Sequence, residues 1–119
     1  MTAEPSVQAN ASGTSLTVQV GGDMDWQTAP FFRERLLGEI TTGQQHVVLE
    51  LSAVSFCDSA GLNVLLWAWR RAGQAGSMLV LARVQPKVQR TLAMTGADTV
   101  LRVYDTVREA ENALVADGV

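Results

Sequence analysis

Residues 46–72 read HVVLELSAVSFCDSAGLNVLLWAWRRA, and this stretch decides the fold class. It begins with His46–Leu51, a β-rich apolar run of strand length. Asp58 and Ser59 then follow, and both residue types favour a helix N-terminus because their side-chain oxygens accept the free first-turn amides. A helix is predicted from about Ala60 to Ala72. The stretch therefore predicts a buried strand that leads through a short connection into a helix.

The same alternation continues on both sides of this stretch. Further strands are predicted over Ser6–Asn10, Leu16–Val20, Met78–Ala82 and Val100–Val103, with Gly21-Gly22 ending the second of them. Further helices are predicted to begin near Asp25 or Thr28, at Pro86 and at Thr106, with ends at Thr42-Gly43 and at Gly96 for the first two. The order β-β-α-β-α-β-α-β-α requires an α/β fold with a mainly parallel sheet.

The helix after Ser59 is predicted to be apolar on two sides. At 100° per residue, the stripe that should cover the sheet, together with Phe56, is Leu62, Leu65, Leu66 and Trp69. The opposite side consists of Ala60, Val64, Trp67 and Arg71. An outward Trp67 beside Val64 has two interpretations that the sequence leaves open: packing under a loop, or a partner-binding anchor.

Composition restricts the function more than the fold. The 119 residues fit one domain spanning 1–119, and 47% apolar residues suffice for a core without disulfides or metals. Cys57 and His46 are the single residues of their types, which leaves little for metal, zinc or catalytic-triad chemistry. No cofactor is expected. We expect Cys57 to point into the core and His46 to lie at an edge or on the surface.

Charge and hydropathy argue against nucleic acid and membrane as direct partners. The net charge is −3, and the apolar run Leu62–Trp69 is too short to span a bilayer. Residues 1–60 carry seven acidic and two basic side chains, whereas residues 61–119 carry five acidic and seven basic ones. From Arg70 to Arg102 there are six bases and one acid, for which scattered surface charge is the favoured interpretation. A compact, reduced, soluble domain is expected.

Three segments together resemble one protein family. Gly22-Asp23-Met24-Asp25 followed by Thr28-Ala29-Pro30, then Phe56–Leu62, then Met94-Thr95-Gly96, are similar to motifs of bacterial anti-sigma factor antagonists. The resemblance covers about residues 6–115. It implies the STAS fold, a mixed, mainly parallel sheet with helices packed mainly on one face. It also implies a location in the bacterial cytoplasm.

The resemblance also implies a mechanism. Members of the family bind an anti-sigma factor that is also a serine kinase, so that a sigma factor is released. The kinase phosphorylates the serine after a signature aspartate, and a PP2C-type phosphatase reverses this. Ser59 matches the phosphoacceptor, Asp58 the signature aspartate, and Asp25 an acid near it, with Asp23 as a further neighbour. The predicted partner-binding residues around Ser59 are Ala60, Gly61, Asn63, Val64, Trp67 and Arg71.

The sequence leaves other interpretations of these residues and of the function open. From the local pattern alone, Asp58 and Ser59 are helix caps and Gly61 permits close packing. A STAS domain could also serve as a scaffold subunit of a lipid-transport ATPase complex or a stressosome-like assembly, without phosphorylation. A hydrolase using Ser59 and His46 is disfavoured because no Gly-x-Ser-x-Gly motif is present. Asp23, Asp25 and Asp58 could gather around a cation, although their spacing does not demand one.

Overall fold

The computed structural model describes residues 4–12, 15–41 and 46–117. In these ranges the elements are β1 (Ser6–Ser12), β2 (Ser15–Met24), α1 (Ala29–Thr41), β3 (His46–Cys57), α2 (Ser59–Gln74), β4 (Leu79–Ala82), α3 (Pro86–Thr95), β5 (Val103–Tyr104) and α4 (Val107–Asp117). The predicted order of strands and helices is confirmed. One turn of 3-10 helix, Ala97–Thr99, separates α3 from β5.

The sheet has the strand order β1-β2-β3-β4-β5. β1 runs antiparallel to β2, and each later pair of neighbours is parallel. The mixed, mainly parallel sheet that the sequence predicts is therefore confirmed. Because β2 and β3 are parallel neighbours, their carboxyl ends lie at the same edge of the sheet, and the chain leaves that edge into α1 and α2.

The helices cover the two faces of the sheet unequally. α1, α2 and α3 pack on one face, where their buried side chains share one core cluster with Leu49 and Leu51 of β3. α4 packs on the other face through a smaller cluster of Val48, Val80, Ala82, Ala110 and Leu114. The alternation of Val48 and Leu49 between the two clusters follows from the two-residue repeat of a strand. Three helices on one face and one on the other agree with the predicted STAS arrangement.

Gly21-Gly22 does not end β2, contrary to the prediction from sequence. The strand continues to Met24, with register shifts against β3 between Gln19 and Gly21 and between Gly22 and Asp23. Gly22 has a φ of +95°, and a Cβ there would lie 2.8 Å from the Glu4 carbonyl oxygen. Glycine thus lets the strand adopt an irregular conformation and continue. The extension carries Asp23 and Met24 alongside the end of β3.

Helix-terminus signals in the second half of the sequence are confirmed, but the last strand is displaced. Gly96 ends α3 in the left-handed conformation with φ 78°, and Thr106 Oγ accepts from the Glu109 amide before α4. The predicted strand Val100–Val103 is wrong by three residues at its start, because the Leu101 amide still donates to Ala97 in the 3-10 turn. The predicted end of α1 at Thr42-Gly43 lies outside the described residues.

Candidate functional site

The carboxyl ends of β2 and β3 bring the predicted site residues to one edge of the sheet. Met24 pairs with Cys57, and the Asp58 amide donates to the Met24 carbonyl at 3.1 Å. Asp25 follows Met24 directly, and Ser59 follows Asp58. The two motif segments, which are more than thirty residues apart in sequence, therefore meet through a backbone hydrogen bond.

Asp58 and Ser59 have different roles, which resolves the ambiguity of two adjacent capping residues. Asp58 is the N-cap of α2, and its Oδ1 accepts from the Gly61 amide at 3.0 Å. Ser59 is the first helical residue and is exposed. Its hydroxyl makes no hydrogen bond to any described residue. Because Asp58 alone satisfies the cap, the Ser59 hydroxyl is available to an incoming group.

The Asp25 carboxylate shapes the connection into α1. Its Oδ1 accepts from the amides of Gln27 at 2.9 Å and Thr28 at 3.0 Å. In return, Thr28 Oγ accepts from the Asp25 amide at 2.9 Å and donates to the Asp23 carbonyl at 2.8 Å. Asp25 and Thr28 therefore fix the turn that leads into α1 by bonding each other's backbone, and neither side chain accepts from an amide of α1 itself.

The Asp23 side chain links the ends of β2 and β3. Its Oδ1 accepts from the Ser55 hydroxyl at 3.1 Å, which links β2 to β3 one residue before the Met24–Cys57 pair. The described residues contain no group of three or more His, Cys, Asp or Glu side chains that could hold a metal ion. Asp23, Asp25 and Asp58 therefore serve as hydrogen-bond acceptors at the three chain segments that build this edge.

Two exposed aromatic side chains flank the edge. Trp26 is 71% exposed in the connection after β2, and Phe56 is 44% exposed near the end of β3. Trp26 carries no signal in the sequence that marks it as a site residue, and the expectation that Phe56 covers the sheet is wrong. We call Trp26, Phe56, Asp58 and Ser59 together the Ser59 surface. Large aromatic side chains that folding leaves uncovered are characteristic of protein-binding surfaces.

The predicted outward face of α2 needs correction. Val64 is 0% exposed, whereas Trp69, which was expected to be buried, is 38% exposed. The reason is that α1 packs beside α2 on the same face of the sheet, with the Arg33 guanidinium 5.8 Å from the centre of the Trp67 ring. Because both the sheet and α1 cover α2, Val64 is buried. The exposed side of the helix is instead the one that carries Asn63 and Arg70. Val64 therefore cannot contact a partner.

The remaining predicted contact residues differ in exposure. Asn63 is exposed, and Ala60, Trp67 and Arg71 are half-buried. Gly61 is buried, and a Cβ there would lie 2.7 Å from Met24 Cβ and 2.8 Å from the Met24 carbonyl carbon. Gly61 thus permits the close approach of α2 to β2, as the capping interpretation predicted, and offers no surface to a partner.

Cys57 and His46 are structural residues. Burial, followed by the negative charge of Asp58, raises the pKa of the Cys57 thiol to about 12, so the thiol stays protonated at neutral pH. The predicted core position of Cys57 is confirmed. His46 Nδ1 accepts from the Met78 amide at 3.1 Å. His46 begins β3 and Ser59 follows its end, so roughly 35 Å of strand separates them, which excludes a His46–Ser59 catalytic pair.

No helix within the described ranges is long and apolar enough to cross a membrane.

The chain is similar to known proteins in sequence and in fold. The family model described as "STAS domain" matches residues 6–110. An anti-sigma F factor antagonist of Paenibacillus polymyxa is 33% identical over 91 residues, which cover 76% of this chain and 78% of that protein. An anti-sigma-B factor antagonist of Listeria monocytogenes is 31% identical over 96 residues, covering 79% and 82%. A crystal structure of an anti-sigma factor antagonist from Mycobacterium paratuberculosis superposes with a TM-score of 0.82 at 25% identity, covering 93% and 94%.

Proposed function

The chain belongs to the STAS domain family, and we propose that it is an anti-sigma factor antagonist. In this role it binds an anti-sigma factor in the bacterial cytoplasm and so frees a sigma factor for transcription. It acts as a binding protein and as the substrate of a kinase, and not as an enzyme. The names of the relatives and the exposed Ser59 surface support this proposal.

We further propose that Ser59 is a phosphorylation site. The anti-sigma factor, acting as a serine kinase, transfers the γ-phosphoryl group of ATP to Ser59 Oγ, with release of ADP and the hydroxyl proton. A PP2C-type phosphatase hydrolyses the phosphoserine again. The observation that carries this proposal is an exposed hydroxyl with no intramolecular partner among the described residues, beside an aspartate that already caps the helix. The hydroxyl can therefore enter a kinase active site without unfolding the helix end.

The contact surface for the anti-sigma factor is centred on Ser59. We assign to it the exposed residues Trp26, Phe56 and Asn63 and the half-buried Ala60. We place at its margin Arg71 and Trp67, whose ring centre lies 5.8 Å from the Arg33 guanidinium of α1. Exposed aromatic side chains are the residues expected to contribute most to such an interface.

Phosphoryl transfer tests the proposed function directly. Incubation with a cognate anti-sigma kinase and ATP, followed by peptide mass spectrometry, should show one phosphate on Ser59. Ser59→Ala should abolish the modification. Ser6→Ala is the matched control, because Ser6 is an exposed serine of β1 outside the Ser59 surface, and its loss should leave phosphorylation unchanged. Phosphate at another position, or none with any candidate kinase, would favour a scaffold role without a phosphorylation cycle.

Trp26→Ala should weaken binding to the anti-sigma factor by roughly 30-fold, the effect of losing about 2 kcal/mol at an interface hot spot. The side chain is 71% exposed, so its removal should leave the melting temperature nearly unchanged. Isothermal titration calorimetry with the purified partner measures the effect. Met94→Ala is the control, since Met94 is 80% exposed near the end of α3 and outside the Ser59 surface. Equal losses in both variants would remove Trp26 from the interface.

A further inference from the structure

A cavity of about 680 Å³ lies at the end of α2 that is remote from Ser59. It is bordered by the last turns of α2, by the start of β4, and by the segment that precedes β5. Its volume lies within the range of roughly 300–1,000 Å³ that is typical of small-molecule sites. The proposed function does not use this region, because the cavity is separated from Ser59 by roughly 15–20 Å of helix.

The cavity has an apolar wall that folding leaves uncovered. Trp69 is 38% exposed and Val100 is 37% exposed, and both side chains line the cavity together with Met78. A partly uncovered tryptophan leaves apolar surface in contact with water, which is unfavourable. A ligand with an apolar body covers that surface. The wide, flat indole ring also offers a stacking surface for an aromatic ligand.

The cavity also has a basic rim. Arg70 and Arg102 both line it, and no acidic side chain is among the described residues that do. The cluster of bases between Arg70 and Arg102, which by sequence alone suggested scattered charge, therefore contributes two guanidinium groups to one concave site. A guanidinium has five N–H donors and prefers planar or tetrahedral oxyanions, and it can hold an anion while making another contact.

We propose that this cavity binds a small amphiphilic anion, a molecule with an aromatic or other apolar body and one carboxylate, sulfonate or phosphate group. The body lies against Trp69 and Val100, and the anionic group meets Arg70 and Arg102. Ser77, only 8% exposed, is another of the residues that line the cavity, and in this proposal its hydroxyl bonds the anionic group. Because the cavity and Ser59 lie at opposite ends of α2, such a ligand and a protein partner can bind together.

A matched pair of fluorescent probes tests the proposal. 8-Anilino-1-naphthalenesulfonate has the required apolar body and anion, and N-phenyl-1-naphthylamine is the same ring system without the sulfonate. The sulfonated probe should bind at least about fivefold more tightly to the intact protein, because only it can use the guanidinium groups. Equal affinities for the two probes would overturn the assignment of an anion site.

Variants at the basic rim distinguish binding of the anion in the cavity from attraction by the net charge of the protein. Arg70→Gln and Arg102→Gln should each weaken binding of the sulfonated probe about fivefold and leave the neutral probe unchanged. Arg108→Gln is the control, because Arg108 is an exposed arginine of α4 that does not line the cavity. Thermal melts of each variant verify folding. A loss in Arg108→Gln equal to that in the rim variants would show that net charge alone attracts the probe.

Nuclear magnetic resonance locates the probe. In amide correlation spectra, the sulfonated probe should shift the signals of Trp69, Ser77 and Val100 and leave those of Trp26 and Phe56 in place. Shifts confined to Trp26 and Phe56 would place the probe on the Ser59 surface and would overturn the proposal. The location of the probe does not test the proposed function, which is tested by phosphorylation of Ser59.

Discussion

Phosphorylation of Ser59 is expected to weaken binding to the anti-sigma factor by a hundredfold or more. The modification adds about −1.5 to −2 charges at neutral pH. The amide end of α2 gives this charge little compensation, because the Asp58 carboxylate already accepts from the Gly61 amide there. The exposed rings of Trp26 and Phe56 need an apolar partner surface, on which a phosphate cannot be desolvated without a large cost. A loss of about 2.7 kcal/mol is sufficient for the hundredfold effect.

Titration calorimetry with unmodified and phosphorylated protein measures this loss, and two variants separate charge from bulk. Ser59→Glu adds one negative charge and should weaken binding less than the phosphate does. Ser59→Gln has the same size without the charge, so its affinity should lie between those of Ser59→Glu and the unmodified protein. Unchanged affinity in both the phosphorylated protein and Ser59→Glu would contradict a switch at this position.

The order of the elements is predictable from the sequence because most of them carry their own local signals. His46–Leu51 is rich in valine and leucine, Pro86 begins α3, and Gly96 ends it in the left-handed conformation. The first and last residues of a strand depend instead on the strand that it pairs with. Val103–Tyr104 forms a strand only where β4 supplies paired residues, and β2 passes through Gly22 because β3 continues alongside it.

The site is predictable from the sequence only in part. The roles of Asp58 and Gly61 follow from capping chemistry and close packing, both of which are local. The exposed face of α2 does not follow, because a helical wheel shows which residues share a side but not which side α1 covers. Val64 is therefore buried and Trp69 partly exposed, which is the reverse of the prediction. The role of Trp26 is not predictable from the sequence, because a single aromatic residue in a connection belongs to no periodic pattern.

Gly61→Ala is expected to lower the free energy of unfolding by about 1–3 kcal/mol, although alanine is the better helix former by up to about 1 kcal/mol. The added Cβ would lie 2.8 Å from the Met24 carbonyl carbon, and backbone cannot yield as a flexible side chain can. Relief requires α2 to move away from β2, which strains the hydrogen bond from the Asp58 amide to Met24. Because that bond sets the position of Ser59 relative to Trp26, anti-sigma factor binding should weaken as well.

Gly73→Ala on the same helix separates the Met24 contact from helix propensity. Gly73 is exposed, and a Cβ there would meet no atom within 4 Å. Both substitutions remove the same backbone freedom from the unfolded chain, so Gly73→Ala should leave stability unchanged or raise it by up to about 1 kcal/mol. Urea denaturation of the two variants therefore gives the free-energy cost of the clash as their difference. If Gly61→Ala were as stable as Gly73→Ala, α2 would not depend on its close approach to Met24, and the position of Ser59 would need another explanation.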